Sequence, residues 1–330
     1  MHGLAWLALH AGIGALATWM ALVYSRRRKL FDAPGERRSH AVATPRGGGI
    51  GITVALLAGC LVLGGAGALP GVVAGCRGVG LVRGAGRGWY DDHRPLSPGL
   101  RLLVQCLAGL LLAWGLHAHD GRWGWALLAF ALVPVLVNVW NFMDGINGLA
   151  SSQALLAALA IAWLVPAVAL PALALAGACA AFLPFNFPRA RIFLGDVGSG
   201  TLGYALAALV AAAAPELGLP WACVLLLPLS AFLVDASLTL AGRILAGERW
   251  WQPHVCHLYQ RWVRTGRSHA FVTGVYAMFS IGAAILAAFL YQAAPWSSGG
   301  GVAFWFVVAV SIWLGMRRRL VPRKVNPTNA

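Results

Sequence analysis

The chain has 330 residues, 59% of them hydrophobic and 11% charged, against about 25% charged in a soluble globular domain. These proportions exclude an ordinary soluble enzyme and predict a multi-span membrane protein. Lys+Arg number 25 and Asp+Glu 10, a net charge of +15, but the charges fall between apolar runs, which points to a lipid surface and not to nucleic acid.

In chain order, apolar runs near 3–24, 48–66, 69–89, 101–117, 123–141, 149–166, 171–187, 201–215, 220–241, 270–291 and 301–316 approach the ~20 residues that a bilayer-spanning helix needs. They predict an all-α integral membrane protein with about eleven transmembrane helices, one polytopic domain over 1–330. Arg26-Arg-Arg-Lys29 follows the first run. A cleavable signal carries its charge in front, so this run reads as a retained span with the N-terminus outside. Alternation then assigns Arg37, Arg38, Arg46, Arg94, Arg101, Arg189, Arg191, the arginines between 243 and 267 and the tail from Arg317 to the cytoplasm, leaving only Arg122 in an outside loop. That asymmetry places the C-terminus and every polar motif on the cytoplasmic face. Six cysteines without a CxxC pair argue against a disulfide framework or zinc ribbon.

The run at 69–89 is the weakest span. It carries Arg77, Arg83 and Arg87, with six glycines between 75 and 88. An Arg at a helix centre costs roughly 2.5–3.5 kcal/mol on insertion scales, and each Gly roughly 1 kcal/mol of helix propensity. Either the segment inserts by packing inside the bundle, or a locally displaced reading frame in a GC-rich gene has replaced an Ala/Leu-rich span. The second reading is preferred.

The cytoplasmic loops hold the chemistry. Ser39-His40 and Thr44-Pro-Arg-Gly-Gly-Gly49 combine Arg46 with backbone N–H groups suited to phosphate. Asp91 and Asp92 are adjacent carboxylates that need a cation, either Arg94 or a metal. Asn138, Asn141, Asp144 and Asn147 recur every third residue at the end of a span, as on one helical face, with Gly145 and Gly148 allowing close approach. Asp196 sits between glycines before the next span, with Ser199 after it. His254 and His257 follow, three apart, suited to phosphate or hydroxyl recognition and too few for zinc. Asp235 is either a buried partner for an Arg or part of the site.

These motifs, in this order, resemble the polyprenyl-phosphate N-acetylhexosamine-1-phosphate transferases, the family that includes the phospho-N-acetylmuramoyl-pentapeptide transferases. The nearest likeness is to the subgroup initiating O-antigen and enterobacterial antigen. The resemblance rests on Ser39-His40, Thr44–Gly49, Asp91-Asp92, Asn138-x-x-Asn-x-x-Asp-Gly-x-Asn-Gly148, Gly195-Asp-x-Gly-Ser199 and Asp235 with its His-x-x-His loop. It implies transfer of HexNAc-1-phosphate from a UDP-N-acetylhexosamine to undecaprenyl phosphate in a bacterial plasma (inner) membrane, with release of UMP. It also implies Mg²⁺, or Mn²⁺ in its place, on Asp196 and Asn141. Asp91, Asp92 and Asp144 are then the catalytic candidates, and Arg46, Asn138, Asn147, Ser199, His254 and His257 the substrate-binding ones. Two positions depart from the family pattern. Asn147 stands where many relatives have Asp, and Val255-Cys256 replaces a more basic pair.

The chemistry agrees with that implication. Phosphoryl transfer asks a protein for in-line positioning and charge neutralisation, which carboxylates for a metal and flanking Arg and His for phosphate supply. A transporter would place its ionisable groups near the bilayer midplane and often shows a repeat; neither is present. A catalytically impaired relative is the other alternative. The sequence leaves open which HexNAc is used, which glycan is made and whether a homodimer forms.

Overall fold

The computed structural model describes residues 2–32, 42–93, 96–249, 251–252 and 254–320. Ser39 and His40, part of the resemblance, and Arg94, one expected partner of the paired carboxylates, lie outside them. The helices are α1 Gly3–Arg27, α2 Ile50–Gly65, α3 Gly71–His93, α4 Pro98–Asp120, α5 Trp123–Phe142, α6 Leu149–Leu164, α7 Ala169–Asn186, α8 Gly195–Leu217, α9 Leu219–Ala222, α10 Ser230–Leu245, α11 Leu258–Arg264, α12 His269–Tyr291 and α13 Pro295–Leu320. A 3-10 segment, Cys223–Leu229, joins α9 to α10, with Pro228 inside it. The only sheet among the described residues is one antiparallel pair, β1 Phe31–Asp32 with β2 Thr44–Pro45.

Eight described helical stretches are long and apolar enough to cross a membrane, and α2 and α6 are shorter apolar helices. Their number, length and composition fit a multi-pass membrane protein. The arginine-bearing α3 is not among the eight, yet it forms a continuous helix packed on α4 and α8. Two of its glycines are used for close approach: a Cβ on Gly80 would lie 2.0 Å from the Tyr204 hydroxyl, and one on Gly88 would lie 2.4 Å from the Val197 nitrogen. Gly75, Gly78, Gly84 and Gly86 have open space beside them, so packing accounts for two of the six glycines between 75 and 88.

α8 is the central helix, buried along most of its length against α5, α3, α6 and α2. Small residues allow this. A Cβ on Gly203 would stand 2.5 Å from the Leu136 carbonyl oxygen, and Gly198 meets Gly49 backbone to backbone. One continuous apolar core includes residues from α1 through α13, and a small satellite of Val234, Leu258, Ala309 and Trp313 seats α11. The alternation of helices brings the N-termini of α2, α8 and α12 and the C-termini of α3, α5 and α10 to one end of the bundle.

Candidate active site

A strap, Thr44–Gly49, organises that end. Thr44 pairs with Asp32 in the two-residue sheet, and its other edge meets the start of α8. Phe193 N–H donates to the Pro45 carbonyl (2.8 Å), Gly48 N–H to Phe193 (2.9 Å) and Gly49 N–H to Leu194 (2.9 Å). The N–H groups of Gly48 and Gly49, expected to meet phosphate, are therefore committed to backbone. The glycines serve proximity: a Cβ on Gly49 would fall 2.0 Å from the Gly198 Cα. The strap delivers Arg46 to Asp92, and the two form an ion pair.

α8 begins six residues earlier than the apolar run suggests. Gly195, at φ +74°, turns the chain into the helix, so Asp196 stands in its first turn and not in a loop. The unpaired N–H groups and dipole of a helix N-terminus favour negative charge there. Asp196 N–H donates to Asp92 Oδ1 (3.1 Å), and Asn141 Nδ2 donates to Asp196 Oδ1 (2.8 Å) and Ser199 Oγ (3.2 Å). Ser199, expected to bind substrate, is fully buried and orients Asn141.

Four polar residues of the central motif line one cavity of about 1040 Å³: Asn138, Asn141, Asp144 and Asn147. The helical-face expectation holds only for the first two, because α5 ends at Phe142. Asn138 is held by Gln105 (2.8 Å) and the Pro134 carbonyl (2.8 Å). Asn147 Nδ2 donates to the Pro188 carbonyl (3.1 Å). Gly145 and Gly148 leave room for protein, not ligand; their missing side chains are replaced by the Tyr259 hydroxyl and the Phe187 ring.

Asp91 and Asp92 are each satisfied at one oxygen only. Asp91 Oδ1 accepts from Leu96 N–H (2.8 Å) and pairs with Arg101 (2.8 Å), Asp92 Oδ1 pairs with Arg46, and the Oδ2 of both is buried without a hydrogen bond. Asp144 lies in the loop after α5. Burial, then the charges of Asp196 and Asp92, push its pKa up to about 8, with Arg46 opposing. Arg87 also acts from α3 on Asp196, Asp91 and Asp92. Asp235, by contrast, accepts from Leu258 N–H (2.9 Å), Trp313 Nε1 (3.0 Å), the Tyr276 hydroxyl (2.7 Å) and the Thr239 hydroxyl (3.2 Å). The Arg partner considered for it is replaced by these neutral donors, and its task is to pin α11.

The segment leading into α11 carries the histidine pair, with His257 at the helix N-cap. His254 and His257 line the cavity with rings 4.9 Å apart. Burial, His257 and Arg243 lower the His254 pKa to about 4, so at neutral pH it offers a neutral imidazole. Sequence reasoning missed the roles of Arg101, Gln105, Asp32 and Arg87, which reach the site from other elements.

Oxygen donors of this kind suit Mg²⁺, which typically keeps waters and takes one or two carboxylates with substrate phosphates. No three His, Cys, Asp or Glu side chains among the described residues form a metal cage. The fit rests instead on the orphaned Asp92 Oδ2, on Asp196, and on Asn141, whose amide oxygen has no hydrogen bond recorded among the described residues.

The family model for glycosyl transferase family 4 matches residues 79–214, from α3 through α8. The decaprenyl-phosphate N-acetylglucosaminephosphotransferase of Mycobacterium leprae (strain TN) is 32% identical over 306 aligned positions, covering 77% of this chain and 75% of the relative. The chain belongs to glycosyl transferase family 4. The Mycobacterium tuberculosis (strain ATCC 25618 / H37Rv) protein of the same name is 32% identical over 320 positions, covering 80% of this chain and 77% of its own. A phospho-N-acetylmuramoyl-pentapeptide-transferase of Synechococcus sp. (strain JA-3-3Ab) is 39% identical over 147 positions, 37% of this chain and 43% of the relative. The family 4 match contains Asp91, Asp92, Asn141, Asp144 and Asp196, whereas Arg46 and the histidine pair lie outside it.

Proposed function

We propose that this family 4 protein transfers N-acetylglucosamine-1-phosphate from UDP-N-acetylglucosamine to undecaprenyl phosphate, releasing UMP and starting a lipid-linked cell-envelope glycan of the O-antigen type. The relatives' names favour this sugar among the HexNAc candidates. The observation that carries the reading is the cavity of about 1040 Å³, where Asp144, Asp196 and Asn141 share a wall with Arg46 and Arg101. Its size suits a nucleotide sugar, and its two kinds of charge suit a metal-bound diphosphate.

When bound, Mg²⁺ on Asp196 and Asn141, with Asp92 adjacent, would neutralise diphosphate charge and polarise the β-phosphorus. The chain's own part is positioning. Arg46 is held at the cavity edge by the strap, and the neutral His254 is placed to meet a hydroxyl or phosphate oxygen. A phosphate monoester, with a second pKa near 6, is largely dianionic at neutral pH. The lipid phosphate therefore attacks the β-phosphorus directly, and no general base or phospho-aspartyl intermediate is required. Eleven crossings, with the site on the cytoplasmic face, complete the reading; the arginine distribution supports that orientation.

Purified protein is given radiolabelled UDP-N-acetylglucosamine, undecaprenyl phosphate and Mg²⁺, with other UDP-N-acetylhexosamines in parallel. Butanol-extractable label with equimolar UMP is expected. Folded protein that yields neither with any donor overturns the proposal. Rapid exchange of labelled UMP into the donor without lipid would favour a two-step route over direct attack.

A further inference from the structure

α3 brings to the cavity an arginine that no motif of the sequence required. Arg87 stands one helical turn before Asp91, is 8% exposed and lines the cavity. Its placement follows from close packing. Without a side chain at Gly88, α3 seats directly on the first turn of α8; a Cβ there would lie 2.5 Å from the Asp196 carbonyl oxygen. The Arg87 guanidinium consequently reaches α8, its Nη2 3.6 Å from where a Cβ on Gly200 would be. The charges of Asp196, Asp91 and Asp92 act on it, and that of Arg101 opposes them.

A guanidinium stays protonated in a protein, and at such a depth it needs an anion or a wet cavity. Among the described residues none of the nearby carboxylates forms an ion pair with Arg87: Asp91 Oδ1 is paired with Arg101, Asp92 Oδ1 with Arg46, and Asp196 accepts from Asn141, while the second oxygens of Asp91 and Asp92 are buried without a hydrogen bond. A divalent cation at Asp196 and Asp92 would withdraw their charge from Arg87 further. The cavity then holds a desolvated cation facing the space where phosphate must sit.

We propose that Arg87 binds a phosphate oxygen of a substrate, a third positive contact beside Arg46 and Arg101 that this chain adds to the site. The shared chemistry is an anionic phosphate oxygen, from either the nucleotide diphosphate or the lipid monoester. The inference rests on the transfer reaction proposed above, so one arm of its test does not depend on turnover.

Arg87→Leu and Arg87→Lys are compared with wild type and with Arg83→Leu, which removes an exposed arginine from the same helix. KM is measured separately for the UDP-sugar and for undecaprenyl phosphate. Thermal unfolding in detergent with Mg²⁺ is measured with and without pyrophosphate and inorganic phosphate. For Arg87→Leu, at least a tenfold rise in one KM is expected, with partial recovery in Arg87→Lys and no change in Arg83→Leu. The KM that moves identifies which substrate supplies the phosphate. The stabilisation by pyrophosphate or phosphate should shrink in parallel. Both KM values within twofold of wild type, with undiminished stabilisation by these anions, overturn the proposal; so does a loss confined to kcat. If wild type transfers no sugar, the transfer reading fails and the anion-stabilisation arm alone decides Arg87. If Arg87→Leu does not fold, Arg87→Lys and Arg87→Gln are judged by the same criteria.

Discussion

Two acidic centres lie toward the same end of the bundle, and they differ in how their oxygens are used. Asp235 is 1% exposed and surrounded by backbone, indole and hydroxyl donors. Asp92, Asp144 and Asp196 crowd beside a large cavity with one buried oxygen orphaned and one carboxyl pushed toward its neutral form. A carboxylate whose oxygens are saturated holds structure together. One with oxygen to spare beside a cavity is poised for a cation. Burial alone does not separate the two roles; the hydrogen-bond inventory does.

If the difference is real, the two centres fail in different ways. Asp196→Asn removes one charge where diphosphate must be neutralised, and turnover should fall by about a thousandfold, ~4 kcal/mol, with the melting temperature in detergent little changed. Activity above about a tenth of wild type would sink the assignment. Asp235→Ala strands several buried donors at roughly 1 kcal/mol or more each, so a loss of about 3 kcal/mol in stability is expected. Thermal melts check this, and a variant that melts like wild type but loses activity would move Asp235 into the site.

A smaller effect is expected from Asp144, read through pH. Its carboxyl titrates at about 8 in the folded protein against an ordinary 3.8, so folding favours the protonated form. Below the ordinary value both states hold the proton. Between there and about 8 the unfolded chain releases it first, and stability falls as pH rises. In cation-free buffer the loss from pH 5 to 8 should be roughly 1–2 kcal/mol after screening by cavity water. Asp144→Asn should flatten the melting profile over that range; an unchanged profile contradicts the burial account. The smallest effect belongs to Asp91→Asn. Asp91 Oδ1 is held by Arg101 and Leu96, and Asp92, not Asp91, carries the hydrogen bond to Asp196, so kcat/KM should drop by less than about tenfold, ~1.4 kcal/mol. A loss equal to that of Asp196→Asn would make Asp91 a direct participant.

Much of this is legible in the sequence. Helices occupy every apolar run, because spanning segments must satisfy their backbone internally, and Asn141, Asp144 and Asp196 do meet at one cavity. What escaped was non-local. Nothing in the sequence near Asp92 announces Arg46, 46 residues earlier, because the partnership depends on a strap clamped to residues 193 and 194. Glycine runs suggested phosphate cradles, yet Gly48, Gly49, Gly145 and Gly148 mark where backbone or ring packs closely. Arg87 looked like a defect in a span. A helix face can be assigned from periodicity, but not which neighbouring helix leaves a wet cavity against it.

The account stands most directly on cation binding, followed by the electron paramagnetic resonance of Mn²⁺ titrated into purified protein with UDP-N-acetylglucosamine. It predicts about one tightly held Mn²⁺ per chain in wild type and in Asp91→Asn, displaced by Mg²⁺ and lost in Asp196→Asn. Equal binding in wild type and Asp196→Asn, or none in either with nucleotide sugar bound, would contradict it.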